Sequence, residues 1–88
     1  MRGRQIIKSF FMERGKAYFY SGDYEHAVQD FASVGRHDPQ NAAAYFAGAE
    51  ASEKLGDMPA AIEDYHKVLV LVPANTQAQQ ALKRLSAQ

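Results

Sequence analysis

The feature that most constrains this chain is a phrase that its sequence contains twice. SGDYEHAVQDF begins at Ser21, and LGDMPAAIEDY begins at Leu55, 34 residues later. Aligning residues 8–41 with residues 42–75 without a gap gives eight identities. They are Ala17/Ala51, Gly22/Gly56, Asp23/Asp57, Ala27/Ala61, Asp30/Asp64, Val34/Val68, Pro39/Pro73 and Asn41/Asn75. A fixed period of this length is typical of repeat architectures, in which neighbouring units cover each other's apolar faces.

Each 34-residue unit is predicted to be a pair of helices. Apolar residues recur at three- and four-residue intervals in two runs per unit, which is the stripe of an amphipathic helix. Gly22 is expected to end the first helix in the left-handed conformation, and Asp23 to cap the second. Gly56 and Asp57 predict the same turn in the second unit. The sequence therefore predicts two helical hairpins, at about residues 8–41 and 42–75.

A fifth helix is predicted over about residues 76–87. Its apolar residues fall on one side and its glutamines on the other. We expect it to cover the apolar flank of the second unit, because the end of a helical array must show water a polar face. The prediction is an all-α fold of five helices in a single domain, residues 1–88.

Residues at the predicted turns and helix contacts match a known motif. In the first unit they are Phe11, Gly15, Tyr18, Ala27, Phe31 and Pro39, and in the second Tyr45, Ala61, Tyr65 and Pro73. On these residues the chain resembles the tetratricopeptide repeat family. It departs from the motif at Arg14, Gly48, Ala49 and Ser52. The resemblance implies a right-handed superhelical array of antiparallel helix pairs, with Gly15 facing Ala27 where the helices approach closely.

The resemblance also implies a function, which is binding a partner protein or peptide in a concave groove. The implied groove positions include Ser9, Ala43, Glu53, Gln77 and Gln80. Partner contacts are expected from Met12, Lys16, Phe19, Tyr20, Phe46, Glu50, Lys54 and Arg84. Four of these are apolar residues beyond the buried stripe, and surplus apolar area on a small domain usually marks an interaction site. The competing interpretation is that Phe19 and Tyr20 only pack between neighbouring helices.

One subfamily of these repeats grips a C-terminal carboxylate with a clamp of lysine, asparagine and arginine residues. Of the matching positions in this chain, Lys16 alone carries a charge suited to such a clamp. We therefore expect a less acidic ligand, with an apolar or aromatic anchor.

The alternative function is self-association. Ile6, Ile7 and Phe10 lie on a flank of the first predicted helix that no earlier helix covers. Three arrangements would cover it: a longer repeat array, a second copy of the chain, or a different protein. A scaffold that forms a homodimer through this helix is the second hypothesis.

Composition argues against several other classes of function. Ten basic and ten acidic residues give a net charge of zero, and Glu50 and Glu53 fall on the predicted groove, so nucleic-acid binding is not expected. The chain has no cysteine, and His26 with Asp30 is a helical pair without a third ligand. We expect no metal site, no cofactor and no catalytic activity.

The sequence predicts neither secretion nor membrane insertion. The segment MRGRQIIKSFF lacks the long apolar region of a signal peptide, and the longest apolar stretches are too short to cross a bilayer. A cytoplasmic location is favoured over secretion, although the compartment itself is not identified.

Overall fold

The computed structural model describes the backbone of residues 2–87 and the side chains of residues 6–87. Its five helices are α1 (Arg2–Ser21), α2 (Tyr24–His37), α3 (Ala42–Leu55), α4 (Met58–Leu71) and α5 (Thr76–Ser86). No strand occurs within residues 2–87. The predicted all-α fold of five helices is confirmed, and α5 ends one residue earlier than expected.

The turn inside each hairpin has the same geometry. Gly22 and Gly56 have φ angles of 89° and 91°, in the left-handed region that favours glycine. The backbone N–H that follows donates to the carbonyl five residues back, at 2.8 Å in the first hairpin and 2.9 Å in the second. Asp23 and Asp57 then each accept a backbone N–H from three residues later, at 3.2 Å. The turn predicted from the repeated phrase is confirmed in both units.

The connections that follow the two hairpins also repeat. Asn41 accepts the backbone N–H of Ala44 at 3.0 Å, and Asn75 accepts that of Ala78 at 2.9 Å. Each asparagine therefore begins a helix by satisfying a backbone donor that has no partner within the helix. Pro59 lies in the first turn of α4, where its missing N–H costs little.

Each helix packs against the next one along the chain, from α1 on α2 to α4 on α5. The pairs α1–α2 and α3–α4 are called below the first and the second hairpin. This packing of helix pairs is consistent with a tetratricopeptide-like array. The buried face of α5, formed by Ala78, Ala81 and Leu85, joins the core of the second hairpin. This face of α5 thereby hides part of that core from water.

The core contains two clusters. The first has Ala27, Phe31 and Ala51 at its centre, with Met12, Tyr18, Phe19, Val28 and Ala47 packed against it. The second has Ala49, Ala61, Tyr65, Val68, Ala78, Ala81 and Leu85 at its centre. Alanines make up much of both centres, and their small side chains let neighbouring helices approach closely.

α1 lies close to α2 at Gly15. A Cβ atom built on Gly15 would lie 2.7 Å from Cε1 of Phe31 and 3.2 Å from Cβ of Asp30. The sequence predicted that Gly15 would face Ala27. The three nearest atoms belong to Phe31 and Asp30, and the ring of Phe31 occupies the space that the missing Cβ leaves.

Candidate functional site

Three adjoining clefts open along α1, α3 and α5, and Glu50 lines all three. We call this surface the groove. Its lining residues are Lys16, Phe19, Tyr20, Phe46, Ala47, Glu50, Glu53, Lys54, Gln77, Gln80 and Arg84, together with parts of Phe31, Tyr65 and Ala81. The structure therefore brings together, on one surface, seven of the eight residues from which partner contacts were expected.

The α1 end of the groove is aromatic. Its cleft of about 110 Å³ is lined by Lys16, Phe19, Tyr20 and Glu50, with Phe31 among its walls. Phe19 packs edge-on against both Tyr20 and Tyr24, with ring centroids 5.5 and 5.3 Å apart. Phe19 is partly buried, as the competing interpretation expected, but Tyr20 is 83% exposed. Tyr20 thus offers a large apolar surface that is positioned by Phe19.

Met12 and Phe46 are less accessible than Tyr20. Met12 is partly buried against the first core cluster and does not line any of the three clefts. Phe46 lines the third cleft, but its ring also packs edge-on against the buried Tyr65, with centroids 5.5 Å apart. Both residues therefore contribute to packing as well as lying near the predicted groove.

The α5 end of the groove is held by Glu53. Its carboxylate accepts hydrogen bonds from Arg84, with Nη1 at 2.6 Å and Nη2 at 3.2 Å, and from the hydroxyl of Tyr65 at 2.5 Å. These bonds, first of all those from Arg84, lower the pKa of Glu53. Burial, followed by the bond to Glu53, raises the pKa of the Tyr65 hydroxyl. Arg84, expected to contact a partner, here joins α5 to α3.

Unlike Glu53, Glu50 forms no ion pair with another side chain of residues 6–87. It is solvent-exposed, yet its neighbours desolvate its carboxyl enough to raise its pKa, and repulsion from Glu53 adds to that rise. Lys54 acts in the opposite direction. A carboxylate in this position gains stability when a cation approaches, because the cation compensates for lost hydration. The centre of the groove is therefore electrostatically suited to a basic group.

The surface proposed for self-association is also exposed. Ile6 and Phe10 are 67% and 53% accessible on α1, and Ile7 is exposed as well. The ring of Phe10 packs edge-on against Phe11, and the guanidinium of Arg14 lies 4.9 Å from its centroid. Ile6 and Ile7 are thus the more independent part of this patch.

His26 and Asp30, the two residues considered for metal binding, each contact a different side chain. His26 Nδ1 lies 2.7 Å from Asp23, and Asp30 accepts two bonds from Arg14 instead. Within residues 6–87 no three His, Asp or Glu side chains form a cluster that could hold a metal ion. Across residues 2–87 every helix is too short or too polar to span a bilayer.

Sequence reasoning missed the ion pair between Arg14 and Asp30. Arg14 Nε and Nη2 donate to the two carboxylate oxygens at 2.8 and 2.9 Å. The Asp30 side chain is only 6% exposed. The available signal was the arginine at a motif position that usually holds leucine, opposite an aspartate on the next helix.

No protein-family model matches the chain. The chain is 35% identical over 77 residues to the protein named Translocon at the outer membrane of chloroplasts 64 from Pisum sativum. The matched region covers 88% of this chain and 13% of that protein. Nearly all of this five-helix array is therefore similar to a short portion of a protein named for a translocon.

Proposed function

We propose that the chain is a tetratricopeptide-like interaction module, without catalytic activity, that binds a segment of a partner protein in the groove. The observation that carries this proposal is the continuous surface along α1, α3 and α5, on which an exposed aromatic residue, Tyr20, adjoins a partly desolvated carboxylate, Glu50. The similarity to a protein named for a translocon supports a protein-interaction role. The division into repeats at about residues 8–41 and 42–75 is part of the same proposal.

The two ends of the groove suggest what the segment contains. An apolar or aromatic side chain would pack against Tyr20 and Phe19, because aromatic anchors supply large contact area at low entropic cost. A lysine or arginine would lie near Glu50, whose carboxylate is partly desolvated. Arg84 and Glu53 already bind each other, so they shape the α5 end and are less available to the partner.

The test starts from peptides selected against the chain from a random display library. A selected peptide is titrated calorimetrically into the wild type, Tyr20→Glu and Val70→Glu. Val70 is 80% exposed on α4, outside the groove, so it controls for adding a charge to an exposed apolar site. We expect Tyr20→Glu to weaken binding at least about tenfold, or 1.4 kcal/mol, and Val70→Glu to leave it unchanged.

Equal affinity of the wild type and Tyr20→Glu for every selected peptide would contradict the groove assignment. Phe46→Glu is a poorer variant for this purpose. Its ring packs against Tyr65, so a loss of binding could follow from a loss of structure. Glu50→Gln separately tests the lysine or arginine proposed to lie near Glu50. It should weaken the binding of only those peptides that contain a lysine or arginine.

The second candidate is a homodimer formed through α1. The exposed side chains of Ile6, Ile7 and Phe10 favour it, since a patch of this kind on a small domain usually marks an interface. Sedimentation at increasing concentration should then show a dimer for the wild type and a monomer for Ile6→Glu. Val70→Glu should dimerise normally. A wild type that stays monomeric at the highest concentration excludes this candidate and leaves the groove proposal standing.

A further inference from the structure

A second cavity lies on the other side of α3 from the groove. It has a volume of about 280 Å³, is partly open to solvent and is lined by α2, α3 and α4, with Tyr45, Gly48, Asp64 and Lys67 among its walls. Gly48 precedes the groove residue Glu50 by two positions, so the two point roughly 200° apart around the helix. A ligand in this cavity would therefore contact the opposite side of α3 from one in the groove, although Phe31 borders both spaces.

The cavity contains a carboxylate with weak ionic compensation. The Asp64 side chain is 24% exposed, and its carboxylate pairs with Lys67 at 3.9 Å, near the limit of an ion pair. Burial, which is the largest influence, raises the pKa of Asp64, and the neighbouring Glu63 adds to the rise. A half-buried carboxylate in this state is stabilised by any cation that can approach it directly.

The first hairpin shows what fits against such a carboxylate. Asp30 is the counterpart of Asp64, 34 residues earlier, and Arg14 grips it with two hydrogen bonds of 2.8 and 2.9 Å. The Arg14 guanidinium also lies 5.4 Å from the ring centroid of Phe11. In the second hairpin the counterpart of Phe11 is Tyr45, which lines the cavity, whereas the counterpart of Arg14 is Gly48. The second hairpin thus retains the aspartate and the aromatic ring of the first, but it lacks the arginine that lies between them.

We propose that this cavity accepts an arginine side chain from a partner protein, whose guanidinium binds Asp64 as that of Arg14 binds Asp30. Arginine suits the site better than lysine, because its planar fork donates to both carboxylate oxygens and stacks on an aromatic ring. An ammonium group offers only a point charge.

The charges around the cavity set the conditions for entry. Lys67 Nζ lies 5.3 Å from the Tyr45 ring centroid, so an incoming arginine must displace it. Arg36 also lines the cavity, but it donates to the hydroxyl of Ser33 at 2.9 Å. Both cations compete with an incoming guanidinium, whereas Asp64 and the nearby Glu63 attract it. Removing Lys67 should therefore strengthen binding.

The test is a titration of the ¹⁵N-labelled chain with N-acetyl-arginine amide, followed through backbone amide shifts. Shifts should concentrate at Gly35, Gly48 and Asp64. N-acetyl-lysine amide should bind at least about threefold more weakly, and inorganic phosphate should leave these amides unchanged. Asp64→Asn should reduce affinity for the arginine probe at least about tenfold. Glu63→Gln, which removes a charge from the same helix outside the cavity, should reduce it much less.

A second variant keeps the result interpretable if Asp64→Asn perturbs the fold. Gly48→Arg places an arginine where Arg14 stands in the first hairpin, and its Cβ would lie 3.1 Å from Oδ2 of Asp64, which a small side-chain rotation relieves. Gly48→Arg should block binding of the arginine probe while Asp64 remains.

The proposal fails if the arginine probe shifts none of these amides at tens of millimolar. It also fails if Asp64→Asn and the wild type bind equally, or if phosphate produces the larger shifts. None of these outcomes bears on peptide binding in the groove.

Discussion

The first and second hairpins share their turns and caps but differ in the contact between their two helices. In the first, Arg14 from α1 binds Asp30 on α2 through two short hydrogen bonds. In the second, Gly48 occupies the position of Arg14, and the equivalent Asp64 borders an open cavity. One hairpin thus satisfies its interhelical aspartate internally, and the other leaves it accessible.

The difference shows which positions of a repeat are free to diverge. The turn glycines need a backbone conformation that other residues rarely adopt, so both units keep them. The positions of Arg14 and Gly48 are ordinary helical sites that are constrained only by what they face. A change there alters the contact between the helices while leaving the hairpin intact.

A second difference lies on the groove side. Phe19 and Phe31 of the first hairpin correspond to Glu53 and Tyr65 of the second. The first pair packs into an apolar cluster, whereas the hydroxyl of Tyr65 donates to Glu53, which also binds Arg84 of α5. The polar pair attaches the capping helix, a task that the first hairpin does not have. The groove is consequently aromatic at one end and charged at the other.

The largest expected effect comes from removing the arginine that distinguishes the first hairpin. Arg14→Met leaves the nearly buried Asp30 carboxylate without its partner, and uncompensated buried charges are strongly destabilising. We expect the melting temperature, followed by circular dichroism, to fall by roughly 10–20 °C. Methionine keeps helix propensity and apolar contact, so the loss reports on the ion pair.

The double variant Arg14→Met with Asp30→Leu is the control. Replacing both partners of a buried pair by apolar residues is often close to neutral, so most of the lost stability should return. A double variant as unstable as Arg14→Met would show that the loss came from packing of the arginine stem. A single variant as stable as the wild type would remove the contrast between the hairpins.

Much of the scaffold could be predicted from the sequence because its signals are local. Gly22 and Asp23 specify their turn through their own backbone and side-chain chemistry, and the same holds for Asn41 and Asn75 at the connections. The second predicted hairpin accordingly begins where α3 does, at Ala42.

The groove was harder to predict, because it depends on side chains that meet across long separations. Glu53 and Arg84 are 31 residues apart, and both were placed on the groove by resemblance without any indication that they bind each other. Met12 and Phe46 looked like surplus apolar residues, but each packs against a core cluster. Helical periodicity gives the direction of a side chain, whereas the neighbour that it meets depends on how the helices cross.

A smaller change in melting temperature is expected when a glycine in each hairpin, Gly15 or Gly48, is replaced by alanine. In Gly15→Ala the new Cβ would lie 2.7 Å from the Phe31 ring, so the helices must separate or the ring must move. Overpacking of this kind outweighs the gain in helix propensity, and the melting temperature should fall by roughly 5–10 °C.

Gly48→Ala is the matched control, since its Cβ would meet the movable end of Asp64 at 3.1 Å and Cβ of Phe31 at an ordinary 3.6 Å. It should melt at or slightly above the wild-type temperature, because alanine favours the helix. Equal destabilisation by both substitutions would mean that the second hairpin is packed as tightly as the first.

The smallest expected change in melting temperature is an increase, and it depends on pH. Because burial raises the pKa of Asp64 above its usual value near 3.8, the folded chain binds this proton more tightly than the unfolded chain. The wild type therefore loses stability as pH rises from the unfolded-state pKa through the folded-state pKa, and the loss persists at neutral pH.

Asp64→Asn does not titrate, so at pH 7 it should melt about 2–4 °C above the wild type, and the difference should shrink towards pH 3.5. Asp30→Asn should instead melt below the wild type at pH 7, because it weakens the bonds from Arg14. If Asp64→Asn is also less stable at neutral pH, then the Asp64 carboxylate already has adequate compensation within the chain, and the two hairpins are electrostatically alike.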